Sequence, residues 1–263
     1  MTLYTPFRRR IVQIGKGTRM IRFILVFLTI VLFLIGGIPL LLIEALIGCF
    51  NEPLMRRSSL RIVQWVFRVI LWETGAKITV LGRENIPTDR SVLYIANHRS
   101  YFDILLGYTN VVGLCGFIAK KEMDRFPLLN NWMRNLYCLF LDRDNLKAGL
   151  DTILKAIDYE KQGISIFLCP EGTRNQGTEM LPFKEGGMKI AEKSGCPIVP
   201  VAIVGTDDLF ENHVPWIRAA QVTIRFGEPI YTDSLERAEK KHLGAKTQAV
   251  IAAMLDEMRQ TAK

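Results

Sequence analysis

Apolar and polar positions along this chain follow three rhythms. From Phe23 to Ile43 no residue is charged, a run close to the roughly 20 residues of a membrane-spanning helix. From Arg57 to Trp72 the polar positions Arg57, Arg61, Gln64 and Arg68 recur at helical spacing, and Leu60, Val63, Trp65, Phe67, Ile70 and Trp72 cover the rest. That pattern predicts an amphipathic helix, suited either to a headgroup boundary or to the face of a core. After Gly75, short apolar runs alternate with amphipathic stretches. Strands are expected at Lys77 to Leu81, Ser91 to Ala96, Gly116 to Ala119, Cys138 to Leu141, Ile164 to Cys169, Ile198 to Ala202 and Val222 to Phe226. Helices are expected at Tyr101 to Thr109, Leu146 to Gln162 and Glu185 to Ser194, with a last one from about Ser234 to Thr261. The alternation predicts an α/β fold: a mixed sheet flanked by helices on both faces, behind N-terminal membrane-associated helices. Three regions follow: an N-terminal membrane-anchoring helical segment (1–75), an α/β domain (76–232) and a C-terminal helix (233–263).

Basic residues precede the uncharged run: Arg8, Arg9, Arg10, Lys16, Arg19 and Arg22. By the positive-inside tendency they keep the N-terminus in the cytoplasm, so a single straight span would send the rest of the chain outside. Gly36-Gly37-Ile38-Pro39 interrupts the run, and the limbs Phe23 to Ile35 and Leu40 to Phe50 are each too short to cross alone at about 1.5 Å per residue. A re-entrant hairpin turning at this break would return the chain to the cytoplasmic face. Both topologies stay open. No small-residue cleavage site follows the run, which argues against a signal peptide.

Composition narrows the classes. The 263 residues are 49% hydrophobic, enough for a packed core and membrane contact, and the formal net charge is +8. A basic chain expects an anionic partner. Arginines flanking apolar segments favour lipid, and no zinc-finger, RNP or GxxG pattern supports nucleic acid. The five cysteines are scattered, odd in number and form no CxxC, as expected of reduced thiols in a cytosolic compartment. The three histidines are dispersed and no HExxH occurs, so no metal is expected.

Four stretches carry candidate chemistry. In NHRSYFD, Asn97 to Asp103, Ser100-x-x-Asp103 reads as a capping box. The same spacing lets Asp103 fold back and hold one nitrogen of His98, leaving the other to take a proton, and the two roles are compatible. In LCPEGTRNQG, Leu168 to Gly177, Gly172 permits close backbone approach, Thr173 offers a hydroxyl and Arg174 a guanidinium fork; these suit a phosphate, or else form a polar turn with a Glu171–Arg174 ion pair. In GFIAKKEM, Lys120 closes a strand within reach of an anion, and Arg143 in LDRD has the same status; both also read as solvated strand ends. In GCPIVPVAIVG, Gly195 to Gly205, Pro200 inside an apolar run suggests an edge strand or a bulge, with a structural role that includes lining an acyl groove. Cys169 offers a rival chemistry, a thiol nucleophile with His98 as its base. No G-x-S-x-G elbow is present.

Taken in order, NHRSYFD, GFIAKKEM, PEGTR with the following FKEGG, and PIVPVAI resemble the blocks of the glycerolipid acyltransferase family, specifically the 1-acylglycerol-3-phosphate acyltransferases, over about Val80 to Gly227. Each block is weak alone; the four in one order are specific. The resemblance implies His98 as general base paired with Asp103. It implies acceptor binding by Glu171, Gly172, Thr173, Arg174 and Lys120, and Arg143 is a possible further anion ligand. The chain departs from the family where Cys169 stands in place of the phenylalanine usual before PEGTR. The expected activity is transfer of a fatty acyl chain from acyl-CoA or acyl carrier protein to the 2-hydroxyl of 1-acyl-glycerol-3-phosphate at the cytoplasmic face of the cell membrane. Neither metal nor prosthetic group is needed, and the thioester is a co-substrate. The expected partners are the bilayer, the lysophospholipid acceptor and the acyl donor. The alternatives are an acyltransferase for glycerol-3-phosphate or another lysophospholipid, and a non-catalytic membrane lipid-binding protein.

Overall fold

Seven short strands form one sheet in the order β1-β7-β6-β2-β5-β3-β4. They are β1 (Lys77–Leu81), β2 (Leu93–Ala96), β3 (Cys115–Lys120), β4 (Leu139–Leu141), β5 (Ser165–Leu168), β6 (Ile198–Val204) and β7 (Gln221–Phe226). β6, β2, β5, β3 and β4 run parallel; β7 is antiparallel to β6, and β1 is parallel to β7. The expected mixed sheet is therefore present. The computed structural model describes residues 5–261 apart from 178 and 234, with side chains described from 17 onward except those of 237 and 261. The side chains of Arg8, Arg9, Arg10 and Lys16 thus lie outside the described residues, as does Ser234, the expected start of the last helix.

Burial on both faces explains the strand sequences. Along β2, Leu93 and Ile95 enter one core while Tyr94 and Ala96 enter the other, so the strand reads as a continuous apolar run. The helices are α1 (Thr5–Gly36), α2 (Ile38–Phe50), α3 (Glu52–Thr74), α4 (Phe102–Asn110), α5 (Leu129–Asn135), α6 (Leu146–Lys161), α7 (Glu185–Ser194), α8 (Arg237–Lys240) and α9 (Leu243–Thr261). Residues of α1, α3, α4 and α5 share the first core, and residues of α6, α7 and α9 fill the second. Tyr108 of α4 begins a stack of rings that continues through Phe117 and Phe167 to Tyr94 beneath the helix, with successive centroids 4.0, 4.4 and 5.8 Å apart. Gly107 lets α4 settle onto them, since a Cβ there would come within 3.1 Å of Phe117. The helix that carries Asp103 is thereby fixed against the sheet.

Three expectations need correction. Pro200 lies in an inner strand, between β2 and β7, and not at an edge. Its carbonyl accepts from Gly227, just past the end of β7. N–H and C=O of one strand residue point the same way, so the missing N–H faces Gly227 at the very end of β7, and the parallel ladder to β2 is untouched. Pro200 is also buried, so it lines no open groove. The expected last helix is two, because the Glu185 carboxylate accepts from Gly244 and Ala245 and caps a fresh start for α9.

The chain does not reverse at Gly36-Gly37-Ile38-Pro39 either. Gly37 is helical (φ −78°), its N–H donates to Phe33, and Leu41 donates to its carbonyl. Pro39 sits at the start of α2, where its missing N–H is tolerated, so α2 continues α1. Reversal comes at Asn51, whose side chain caps α3 by accepting from Leu54 at 3.0 Å. α3 then returns along the first limb. Glu44 accepts from Ser58 (2.6 Å) and Ser59 (3.2 Å), and Thr29 donates to Glu73 (2.6 Å).

Within α1, Gly17–Gly36 is long and apolar enough to cross a membrane. Yet Val26 is buried in the first core, and Phe23, Phe33 and Leu34 pack against it. The outer faces of α1 and α2 expose Phe27, Leu32, Ile35, Leu42, Leu46 and Phe50. On α3, Leu60, Val63, Val66 and Ile70 are buried, while Trp65 and Trp72 are 65% and 79% exposed and share the outer face with Arg57, Arg61 and Arg68. The tryptophans lie beside the arginines.

One buried group sets a pH dependence. Glu160 of α6 accepts from Ile166 at 2.9 Å, its second oxygen is buried with no hydrogen bond in place among the described residues, and burial pushes its carboxyl up to about 7. With the folded value above the usual one, the unfolded chain loses this proton first, so stability falls as pH rises from about 4.5 to 7, by about 3 kcal/mol. Glu160→Gln is expected to raise the melting temperature at pH 8 by several degrees and by a smaller margin at pH 5, as read by thermal unfolding at the two values.

Candidate active site

At the carboxyl end of β2 the chain is held on both sides. The Asn97 side chain donates to the Ile203 carbonyl (2.9 Å) and accepts from its N–H (2.8 Å), extending the join to β6. The His98 N–H donates to Glu171 (2.8 Å), and its carbonyl accepts from the Asn175 N–H (2.8 Å). With the backbone fixed, the ring points its Nδ1 at Asp103 Oδ2, 2.9 Å away. The imidazole is 18% exposed and the carboxylate not at all. A carboxylate on Nδ1 selects the tautomer with the proton there, which leaves the lone pair on Nε2. Nε2 has no protein partner among the described residues.

Asp103 is over-determined. Its Oδ2 also accepts from the N–H groups of Arg99 (2.7 Å) and Ser100 (2.8 Å), and its Oδ1 accepts the Thr206 hydroxyl (2.5 Å). The bond from Ser100 N–H is one half of a capping box. The other half differs: Ser100 Oγ accepts from Phe102 at 3.0 Å, one residue earlier than in the usual box. Asp103 therefore caps α4 and orients His98 at once.

The PEGTR loop leaves β5 beside this pair. Gly172 adopts φ +77°, and its carbonyl accepts from the Arg143 guanidinium. A Cβ at Gly172 would lie 3.2 Å from Lys184 Nζ, so glycine lets both cations crowd the loop. Glu171 is placed differently from its expected role as an acceptor ligand. It is buried, and its oxygens accept from His98, Asn175 (3.1 Å) and Leu181 (2.9 Å), so it clamps the two loops together and has no face toward an anion. The alternative reading, a Glu171–Arg174 ion pair, is not formed. Arg174 instead lies over the Tyr101 ring (3.6 Å), donates to Tyr101 Oη (2.9 Å) and pairs with Glu211 (3.3 Å). Thr173 and Arg174, with Tyr101, Gln176, Phe210 and Glu211, line an open depression of about 420 Å³. Lys120 is exposed at the end of β3, with no partner among the described residues. The structure thus joins His98, Asp103 and Glu171 directly, sets Arg143 and Lys184 at Gly172, and turns Arg174 toward Tyr101 and Glu211.

Other groups bear on the chemistry. Burial, with the Asp103 and Glu171 carboxylates nearby, pushes the Cys169 thiol well above its usual range, which disfavours a thiolate nucleophile. Among the described residues no cluster of three or more His, Cys, Asp or Glu could hold a metal ion. Sequence reasoning missed Asn97, Asn175, Lys184, Thr206 and Glu211. Asn97, Asn175 and Lys184 sit inside the quoted NHRSYFD, LCPEGTRNQG and FKEGG blocks, and Thr206 directly follows the turn glycine of the Pro200 strand; Glu211 carries no local signal.

The family model described as Acyltransferase matches residues 77–204. A 1-acyl-sn-glycerol-3-phosphate acyltransferase of Borreliella burgdorferi is 30% identical over 187 residues, covering 71% of this chain and 75% of that protein. The chain belongs to the 1-acyl-sn-glycerol-3-phosphate acyltransferase family. It is an O-acyltransferase of phospholipid biosynthesis. The acyltransferase of Cocos nucifera with the same name is 34% identical over 180 residues, which is 66% of this chain and 56% of the longer plant protein. The crystal structure of the 1-acyl-sn-glycerophosphate acyltransferase PlsC from Thermotoga maritima superposes with a TM-score of 0.79 at 26% identity, covering 93% of this acyltransferase and 98% of that chain.

Proposed function

We propose that this acyltransferase moves a fatty acyl chain from the thioester of acyl-CoA or acyl carrier protein to the 2-hydroxyl of 1-acyl-sn-glycerol-3-phosphate, giving phosphatidic acid. The observation that carries the mechanism is the buried Asp103 on His98 Nδ1, with Nε2 open. An alcohol is a poor nucleophile at neutral pH and needs a positioned base. His98 Nε2 takes the hydroxyl proton as the oxygen attacks the thioester carbonyl. Asp103 stabilises the imidazolium that forms, the tetrahedral intermediate collapses, and the departing sulfur takes the proton from His98. Arg174, Thr173, Lys120 and Arg143, with the newly located Lys184, supply cations and donors for the acceptor phosphate. Holding the headgroup presents the 2-hydroxyl to His98, which is the entropic part of catalysis. No metal or prosthetic group enters this scheme.

The lipid acceptor is met in the plane of the bilayer. The exposed apolar faces of α1 and α2, and the Trp65, Trp72, Arg57, Arg61 and Arg68 face of α3, suit insertion to headgroup depth. One face of the α1–α3 pair packs on the sheet, which favours a helical hairpin lying in one leaflet over a straight crossing, with the catalytic domain on the cytoplasmic side.

The acceptor assignment is tested at Arg174. A guanidinium grips phosphate through a rigid planar fork and lies flat on Tyr101; a lysine ammonium is a point charge without that fork. Arg174→Lys is expected to raise the acceptor KM roughly ten- to hundredfold and to leave the donor KM near its original value. An unchanged acceptor KM would remove Arg174 from the phosphate site.

A further inference from the structure

We infer that Thr206 is a positioning residue of the acyl-transfer site, acting through Asp103. The inference rests on the proposed role of the His98–Asp103 pair. Asp103 has no solvent contact, and among the described residues its Oδ2 receives three donors while Oδ1 receives one, the Thr206 hydroxyl at 2.5 Å. Thr206 is itself fully buried. A carboxylate held only through Oδ2 can still rotate about its own axis. The bond to Oδ1 fixes that rotation, and with it the lone pair that meets His98 Nδ1–H. It also satisfies an oxygen that would otherwise be a buried, unpaired half of a charge, a costly state.

The backbone places Thr206 for this contact. β6 pairs with β2 as far as Val201 and with β7 up to its last residue, Val204, opposite Thr223. Gly205 then turns at φ +85°, where a Cβ would lie 2.1 Å from the Gln221 carbonyl. Only glycine passes so close to β7, and the turn delivers the next hydroxyl to Asp103. A purely structural explanation would have the Thr206–Asp103 bond join the end of β6 to the end of β2. That join already exists, because the Asn97 side chain makes two bonds to Ile203. The Thr206 backbone is held separately, its carbonyl accepting from Leu209. The hydroxyl is thus spare for assembly and committed to the carboxylate.

The test compares Thr206→Val, which keeps the shape and loses the donor, with Thr206→Ser, which keeps the donor. Assays use the full chain with 1-acyl-glycerol-3-phosphate and acyl-CoA or acyl carrier protein. Thr206→Val is expected to lower kcat by about ten- to hundredfold, with acceptor and donor KM within about twofold, and Thr206→Ser to restore most of kcat. In protein labelled at its histidines, the Nδ1 proton of His98 is expected to shift in the valine variant and return in the serine variant. Equal kcat per folded molecule in Thr206→Val, or an unmoved His98 resonance, would overturn the inference. If the valine variant does not fold, Thr206→Ala against Thr206→Ser decides on the same two readouts. His98→Ala run in parallel separates the two claims. Full activity there sinks the base mechanism itself, whereas a dead His98→Ala beside an unimpaired Thr206→Val sinks only the role of Thr206.

Discussion

Replacing His98 by alanine is expected to lower kcat by at least 10²–10⁴-fold while the protein stays folded and membrane-bound. The size follows from removing the one base whose free nitrogen faces outward at the site. The retention of fold follows from what His98 leaves behind. Its backbone bonds to Glu171 and Asn175 do not involve the ring, and Asp103 keeps the donors of Arg99, Ser100 and Thr206. No buried charge is stranded, so the melting temperature should move little. A variant with near-normal kcat would return NHRSYFD to the status of a capped helix start.

Asp103→Asn is the second large effect, and it separates capping from catalysis. Every partner of Asp103 in the structure is a donor; the Thr206 hydroxyl can also accept, and His98 can accept only by changing its tautomer. The amide oxygen can therefore remain toward Arg99, Ser100 and His98, with its NH2 group turned to the Thr206 oxygen. Helix capping and fold survive this arrangement, but the charge that stabilises the imidazolium is gone. If the amide flips, its NH2 meets Nδ1 and enforces the wrong tautomer. Either way kcat is expected to fall about 10²–10⁴-fold with a small change in melting temperature. Activity lost in proportion to folded protein would leave Asp103 with capping alone.

The parts of this account that could be read from sequence are local ones. β2 and β6 were legible because burial on both faces makes their apolar runs continuous. NHRSYFD was legible because His98, Ser100 and Asp103 meet within one turn. α5 was not foreseen, since Leu129–Asn135 is mostly polar and its anchor, Trp132, is buried against Phe33 from a distant helix. The reversal at Asn51 was misplaced because a Gly-Gly-Ile-Pro break reads as a turn, whereas at the start of α2 proline is compatible with helix. Glu171 was misread because its inward turn depends on His98, far away in the chain. Thr206 and Glu211 reach the site the same way, on loops brought in by the sheet order. The chemistry of each block was visible; the partners each block would choose were not.

The most direct measurement is acceptor-dependent thiol release by the full chain in detergent or vesicles, with acyl-CoA and acyl carrier protein each tried as donor. With 1-acyl-glycerol-3-phosphate present, thiol should appear in step with phosphatidic acid, one for one. Without acceptor, with glycerol-3-phosphate, or with His98→Ala, release should fall to background. Release that proceeds equally without the acceptor, or that favours glycerol-3-phosphate in kcat/KM, would contradict the account.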